Sequence, residues 1–135
     1  MRRDLFVVDS IAAAEPAMAD AVVVCGSHGG VSAARYVLAL PRRPYAVFFN
    51  DAGIGKDRAG VAALALLERA GVLAAAYASQ SARIGEAIDG LDHGVVSVVN
   101  GQAAAAGVRA GMQVAAAAER LRLTVASAPD PPSVR

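Results

Sequence analysis

The chain has 135 residues, enough for one domain with a real buried core and too few for two. Hydrophobic residues make up 56% and aromatic residues only 4%, because alanine dominates the apolar set, so the core must be built from small side chains and further burial by homo-oligomerisation is expected. The 13 basic and 12 acidic residues leave a formal charge of +1, and there is no tryptophan to stack on bases; nucleic acid is excluded as a partner.

The opening "MRRDLFVVDSIAAAEPAMA" carries two arginines and small residues, but Asp4, Asp9, Ser10 and Glu15 interrupt it before an apolar region of signal-peptide length can form. Within it, "DLFVV" predicts a first strand. "AVVVCG" predicts a second, and "VSAARYVLAL" a helix that "PRRP" terminates. A third strand, "YAVFFN", precedes the helical pattern "DRAGVAALALLERAG", where Val61, Leu64, Leu67 and Glu68 fall at helical spacing and Gly71 stands where a C-terminal cap belongs. "VLAAAYAS" and "GVVSVVN" predict the fourth and fifth strands.

Between those two strands lies "QSARIGEAIDGLDHG", polar, with three glycines and no sustained apolar face, which reads as a long functional loop. After the fifth strand, "QAAAAGVRAGMQVAAAAERLRL" reads as two helical pieces broken at Gly107 to Gly111, and the proline-rich tail 125–135 is expected to be disordered. The fold class expected for 1–124 is therefore α/β: a single three-layer domain with a mainly parallel sheet of about five strands. The longest apolar region is split by Glu68 and Arg69, short of the roughly 20 residues that span a bilayer, so no membrane partner is expected. With one cysteine, no internal disulfide can form, and a cytoplasmic location is the economical reading.

In an open parallel sheet, ligands bind beyond the carboxyl ends of the strands. There the sequence places "GSHGG", "NDAGIGKD", "SQSAR" and, after the fifth strand, Asn100 and Gln102. Glycine-rich turns at helix starts expose backbone N–H groups that attract anions. His28 is accordingly a candidate general acid or base, Ser27 a stabiliser of negative charge, and Asp51 the group that orients His28 or activates water. Gly29, Gly30, Asn50, Lys56, Ser81 and Arg83 are candidate substrate-binding residues; Lys56 is the only lysine, and Arg83 offers a planar fork for a carboxylate or phosphate.

Structural roles compete: His28 can cap a helix, Cys25 can be inert core, Asp51 can start a turn and Asp57 can cap the next helix. "AGIGKD" lacks the leading glycine and the trailing Ser or Thr of a P-loop. Cys25, His28, Asp51, Asp92 and His93 show no metal-ligand spacing, so neither a metal nor an organic cofactor is expected.

The order of strand, "CGSHGG", helix, strand and "FFNDAG" resembles the core of caspase-like peptidases, where a histidine follows one strand in a Ser-His-Gly turn; His28 matches, but "NDAG" lacks the cysteine that family carries after its next strand. "VVNGQAAAAGVRAGM" is similar to the ending of the small YunC-like domains of unknown function. The set "GSHGG", "NDAGIGKDRAG" and "SARIG" resembles an uncharacterised family of small bacterial α/β domains. The function expected is binding of a small anionic metabolite at the strand carboxyl edge, as a cofactor-independent hydrolase or isomerase or, alternatively, as a non-catalytic metabolite-binding or accessory oligomeric subunit.

Overall fold

The computed structural model describes residues 2–124; the tail expected to be disordered lies outside the described residues. Five strands, β1 (Leu5–Val8), β2 (Val22–His28), β3 (Ala46–Asn50), β4 (Leu73–Tyr77) and β5 (Val96–Val99), form one sheet in that same order. The first four are parallel and β5 runs antiparallel to β4. Because each parallel crossover steps one strand in the same direction, right-handedness puts all three connections on one face.

That face holds two short 3-10 turns (Ile11–Ala13 and Pro16–Met18), α1 (Val31–Leu38) and α2 (Ala62–Arg69). Their Ile11, Met18, Ala34, Val37, Leu64 and Leu67 bury against Val23, Cys25, Val47 and Phe49. Period-two alternation turns Val22, Val24, Ala46, Phe48 and Tyr77 to the opposite face. There α3 (Ala87–His93), α4 (Gly101–Ala105) and α5 (Val114–Leu123) cover them through Ala103, Val114, Ala117 and Leu121. The result is the three-layer α/β domain, its small side chains allowing close approach of helix to sheet.

Three expectations need correction. The connection 80–94 is not a bare loop, because α3 forms inside it. Its packing face is made by the small residues Ala87 and Gly90: a Cβ on Gly90 would lie 2.6 Å from the Tyr77 ring, so glycine lets the helix rest directly on that aromatic. The helix expected over 57–71 begins later. Residues Lys56–Val61 form a kinked 3-10 turn with Asp57 and Arg58 at φ 56° and 58°, and only from Ala62 is the backbone regularly helical. Finally, β5 runs backwards, so Asn100 and Gln102 sit at the amino edge, away from the other loops. There the Asn100 amide donates to Val72 O (2.9 Å) and Leu64 O (3.3 Å).

The two ends of the described chain are tied together. The buried guanidinium of Arg3 stacks 3.5 Å above the Tyr45 ring and donates to the backbone carbonyls of Leu121 and Thr124, while Arg122 Nε donates to Arg3 O at 2.8 Å. No helix among the described residues is long and apolar enough to cross a membrane.

Candidate functional site

The expected gathering of loops at the carboxyl edge is present, and backbone contact makes it. At the end of β2 the ladder to β3 is irregular between Val24 and His28, after which His28 pairs with Asn50. Gly26 lies inside the irregularity, where its N–H donates to Asp9 O (3.1 Å) and its carbonyl accepts from Gly85 N (2.7 Å). A Cβ there would meet Glu86 N and Gly85 C at 2.6 Å, so the loop before α3 leans backbone-to-backbone on β2. On the other side, Gly29 N–H donates to Asn50 O (3.1 Å) and Gly29 O accepts from Ala63 N (2.8 Å). Gly60 reaches still closer to the segment after β3, since a Cβ on it would stand 2.1 Å from Asp51 O.

Within this frame the candidate residues divide in two. Asn50, Asp51, Ser27 and Ser81 are structural struts. The Asn50 amide donates to Ala82 O (3.1 Å) and its oxygen accepts from Ala52 N (2.8 Å). Asp51, only 4% exposed, takes Gly53 N (2.7 Å) and Ser79 N (3.0 Å) on one oxygen and the Ser97 hydroxyl (2.7 Å) on the other. It thus ties the loops after β3 and β4 to strand β5 and makes no hydrogen bond to His28. The Ser27 hydroxyl oxygen accepts from Ile11 N (2.9 Å), and the Ser81 hydroxyl donates to Ala78 O (2.6 Å) while accepting from Val95 N (3.0 Å).

His28, Lys56 and Arg83 are exposed. Among the described residues neither the His28 nor the Lys56 side chain has a hydrogen-bond or ion-pair partner. Arg83 does: its guanidinium lies 3.7 Å from Glu86, and its backbone N–H donates to Asp89 (2.7 Å). That N–H, followed by the hydrogen bond from His93, holds the half-buried Asp89 carboxyl below the ordinary carboxylate range.

Gly30, between His28 and α1, is the N-cap of the helix; no side chain caps it and no acidic residue stands in the first turn. The donors of that turn therefore have no side-chain partner among the described residues, and the His28 ring packs over Gly30 beside them. The loop 52–60 is strained. Ala52, Ile54, Asp57 and Arg58 all have φ between 52° and 69°, alongside Gly53 and Gly55, and each non-glycine in this region costs about 1 kcal/mol or more.

Cys25 is the core residue its apolar run suggested. Its thiol is fully buried, with Sγ 3.3 Å from Phe48 O, and burial pushes its pKa up to about 12. Such a thiol should react with an aromatic disulfide reagent about a thousandfold more slowly in the native protein than after unfolding at pH 8. Rapid native labelling would show the strand end to be open. The same upward shift makes high pH destabilising: the contribution of the buried thiol is complete below the ordinary cysteine range and fades as pH climbs through it towards 12.

Sequence reasoning missed Ser97, the third support of Asp51, and Asp9, whose carboxylate accepts from Ala87 N (2.9 Å) at the start of α3. Only the lone polar residue in "VVSVV" hinted at the first, and nothing hinted at the second. Two open clefts flank the site. One of about 530 Å³ runs between α2 and β5, and one of about 350 Å³ is lined by Asp9, Glu86, Ile88, Asp89 and Asp92. Among the described residues no three His, Cys, Asp or Glu side chains are grouped so as to hold a metal ion. No protein-family model, curated protein or solved structure matches the chain.

Proposed function

We propose that the protein binds a small anion at the amino end of α1, on the backbone donors of its first turn, with His28, whose ring packs over Gly30, and Lys56 on the two adjoining loops. The observation that carries this reading is the uncapped, carboxylate-free first turn beside an imidazole that has no partner of its own. A helix terminus in that condition attracts negative charge by its free N–H groups and its dipole. Asp51 and Ser27, the other candidates for chemistry, are engaged in holding the loops, which favours binding without turnover over hydrolysis or isomerisation.

Titration with inorganic phosphate, followed through backbone amide resonances, tests the reading. Val31, Ser32 and Ala33 should shift together with a dissociation constant in about the millimolar range, and Lys56→Ala and His28→Ala should each weaken binding roughly threefold. Unmoved amides in this turn at ~50 mM phosphate would overturn it. Added sodium chloride should weaken the interaction, since the Lys56 ammonium is exposed.

A further inference from the structure

The cleft between α2 and β5 exists because β5 extends the sheet past the helices that cover its parallel part. β5 is an edge strand, and its Val98 and Val99 are half-buried, lining the cleft from the sheet side. From the helix side come Ala62, Ala65 and Leu66, of which Ala65 is exposed and the others half-buried. α2 is thus both a wall of this groove and, with alanines on its outer surface, a low ridge that another helix can approach closely. Charges stand only at its ends: Asp57 and Arg58 before the amino end of α2, Glu68 and Arg69 at its carboxyl end.

We propose that a second copy of this chain occupies the cleft, in a two-fold dimer in which each α2 seats in the α2–β5 groove of the other. The charge pattern argues for this occupant over any other. A two-fold axis level with Ala63, midway along the segment 57–69, exchanges the two ends of that segment, so that Arg58 faces Glu68 of the partner subunit and Asp57 faces Arg69 of the partner subunit, with apolar side chains between. Within one chain, Asp57, Arg58 and Arg69 have no ion-pair partner among the described residues. Glu68 gives one carboxylate oxygen to the Gly101 N–H, and its other oxygen remains for the partner. Residues 111–113 already hydrogen-bond to the start of β5, and pairing of subunits covers Val98 and Val99 beyond them, apolar surface that otherwise invites uncontrolled association.

Sedimentation equilibrium of the full chain at ~100 µM should give twice the mass of one chain, 13.6 kDa. Ala65→Arg, at an exposed position near the axis, should leave the circular dichroism and the melting of the single chain intact while raising the dimer dissociation constant about tenfold or more. Arg58→Glu and Glu68→Arg should each be driven to monomer, because each homodimer sets like charges opposite one another twice. An equimolar mixture of the two should recover the dimer, since both cross-pairs are then of opposite sign. Should Glu68→Arg unfold through loss of the Gly101 contact, Asp57→Lys mixed with Arg69→Glu reads the same exchange at the second pair. A one-chain mass for the native protein, an Ala65→Arg variant that stays dimeric, or folded charge variants whose mixture stays monomeric would each overturn the proposal.

Discussion

Gly60→Ala is expected to be the most damaging single-methyl change in the molecule, lowering stability by more than about 4 kcal/mol or preventing folding. Its Cβ would stand 2.1 Å from Asp51 O and 3.0 Å from Ile54 O, and both are main-chain atoms already in use. Asp51 O accepts from Ile54 N and Ile54 O from Gly60 N, each at 2.7 Å. Neither can move without breaking the other's bond, so no side-chain rotation relieves the overlap. Gly71→Ala is the control: Gly71 ends α2 as its C-terminal cap, with φ +78° and open space around it, so alanine there meets only the left-handed backbone penalty of about 1 kcal/mol. Urea titrations of the two variants compare them directly; equal midpoints would show that this close approach yields easily.

Asp51→Ala is expected to cost about 4 kcal/mol, because Gly53 N, Ser79 N and the Ser97 hydroxyl lose a charged acceptor together in a site that is almost wholly buried. For a domain of this size that is a fall of about 15 °C in melting temperature, read by calorimetry. Asp51→Asn keeps an oxygen for the two backbone donors and should cost less than half as much. Ser97→Ala removes one bond, about 1 kcal/mol. A catalytic Asp51 predicts the reverse order of effects, with thermal stability nearly untouched and turnover abolished. A melting temperature of Asp51→Ala within 3 °C or so of the native value would refute the structural role.

Both changes fall in the segment that the sequence marks most clearly as special, and their consequences show what kind of information the sequence carries there. Strand positions were legible because short apolar runs of Val, Phe and Ala are bounded by turn residues, and the helix breaks at Gly71 and at Gly107 to Gly111 coincide with φ of +78°, +95° and +94°. That the loops meet at one edge was legible too, since parallel order follows from alternating elements.

Roles within the edge were not. Whether Asp51 faces His28 or Ser97 depends on β5 running antiparallel, and no property of "GVVSVVN" encodes its direction. α3 was hidden for a related reason. Its contact face is small, Ala87 and Gly90, and the glycine's contribution is the space it leaves for Tyr77, which a pattern of apolar side chains cannot register. Arg83 looked unpartnered because its partners lie in the same polar stretch: Glu86 returns to it across a turn in which Glu86 N–H donates to Arg83 O (3.3 Å), and Asp89 reaches it only because α3 forms.

The division of the core between two faces bears on how the chain comes off the ribosome. The first sheet face is covered by elements that alternate with its strands, so each newly made unit finds its cover within a few tens of residues. The second face waits: Val22, Val24, Ala46 and Phe48 are sealed by Ala117, Ala118 and Leu121, and Arg3 meets its carbonyl partners only when residues 121–124 have been synthesised. A nascent chain halted before α5 therefore displays one finished side and one bare aliphatic side, the state in which chaperones find most to hold.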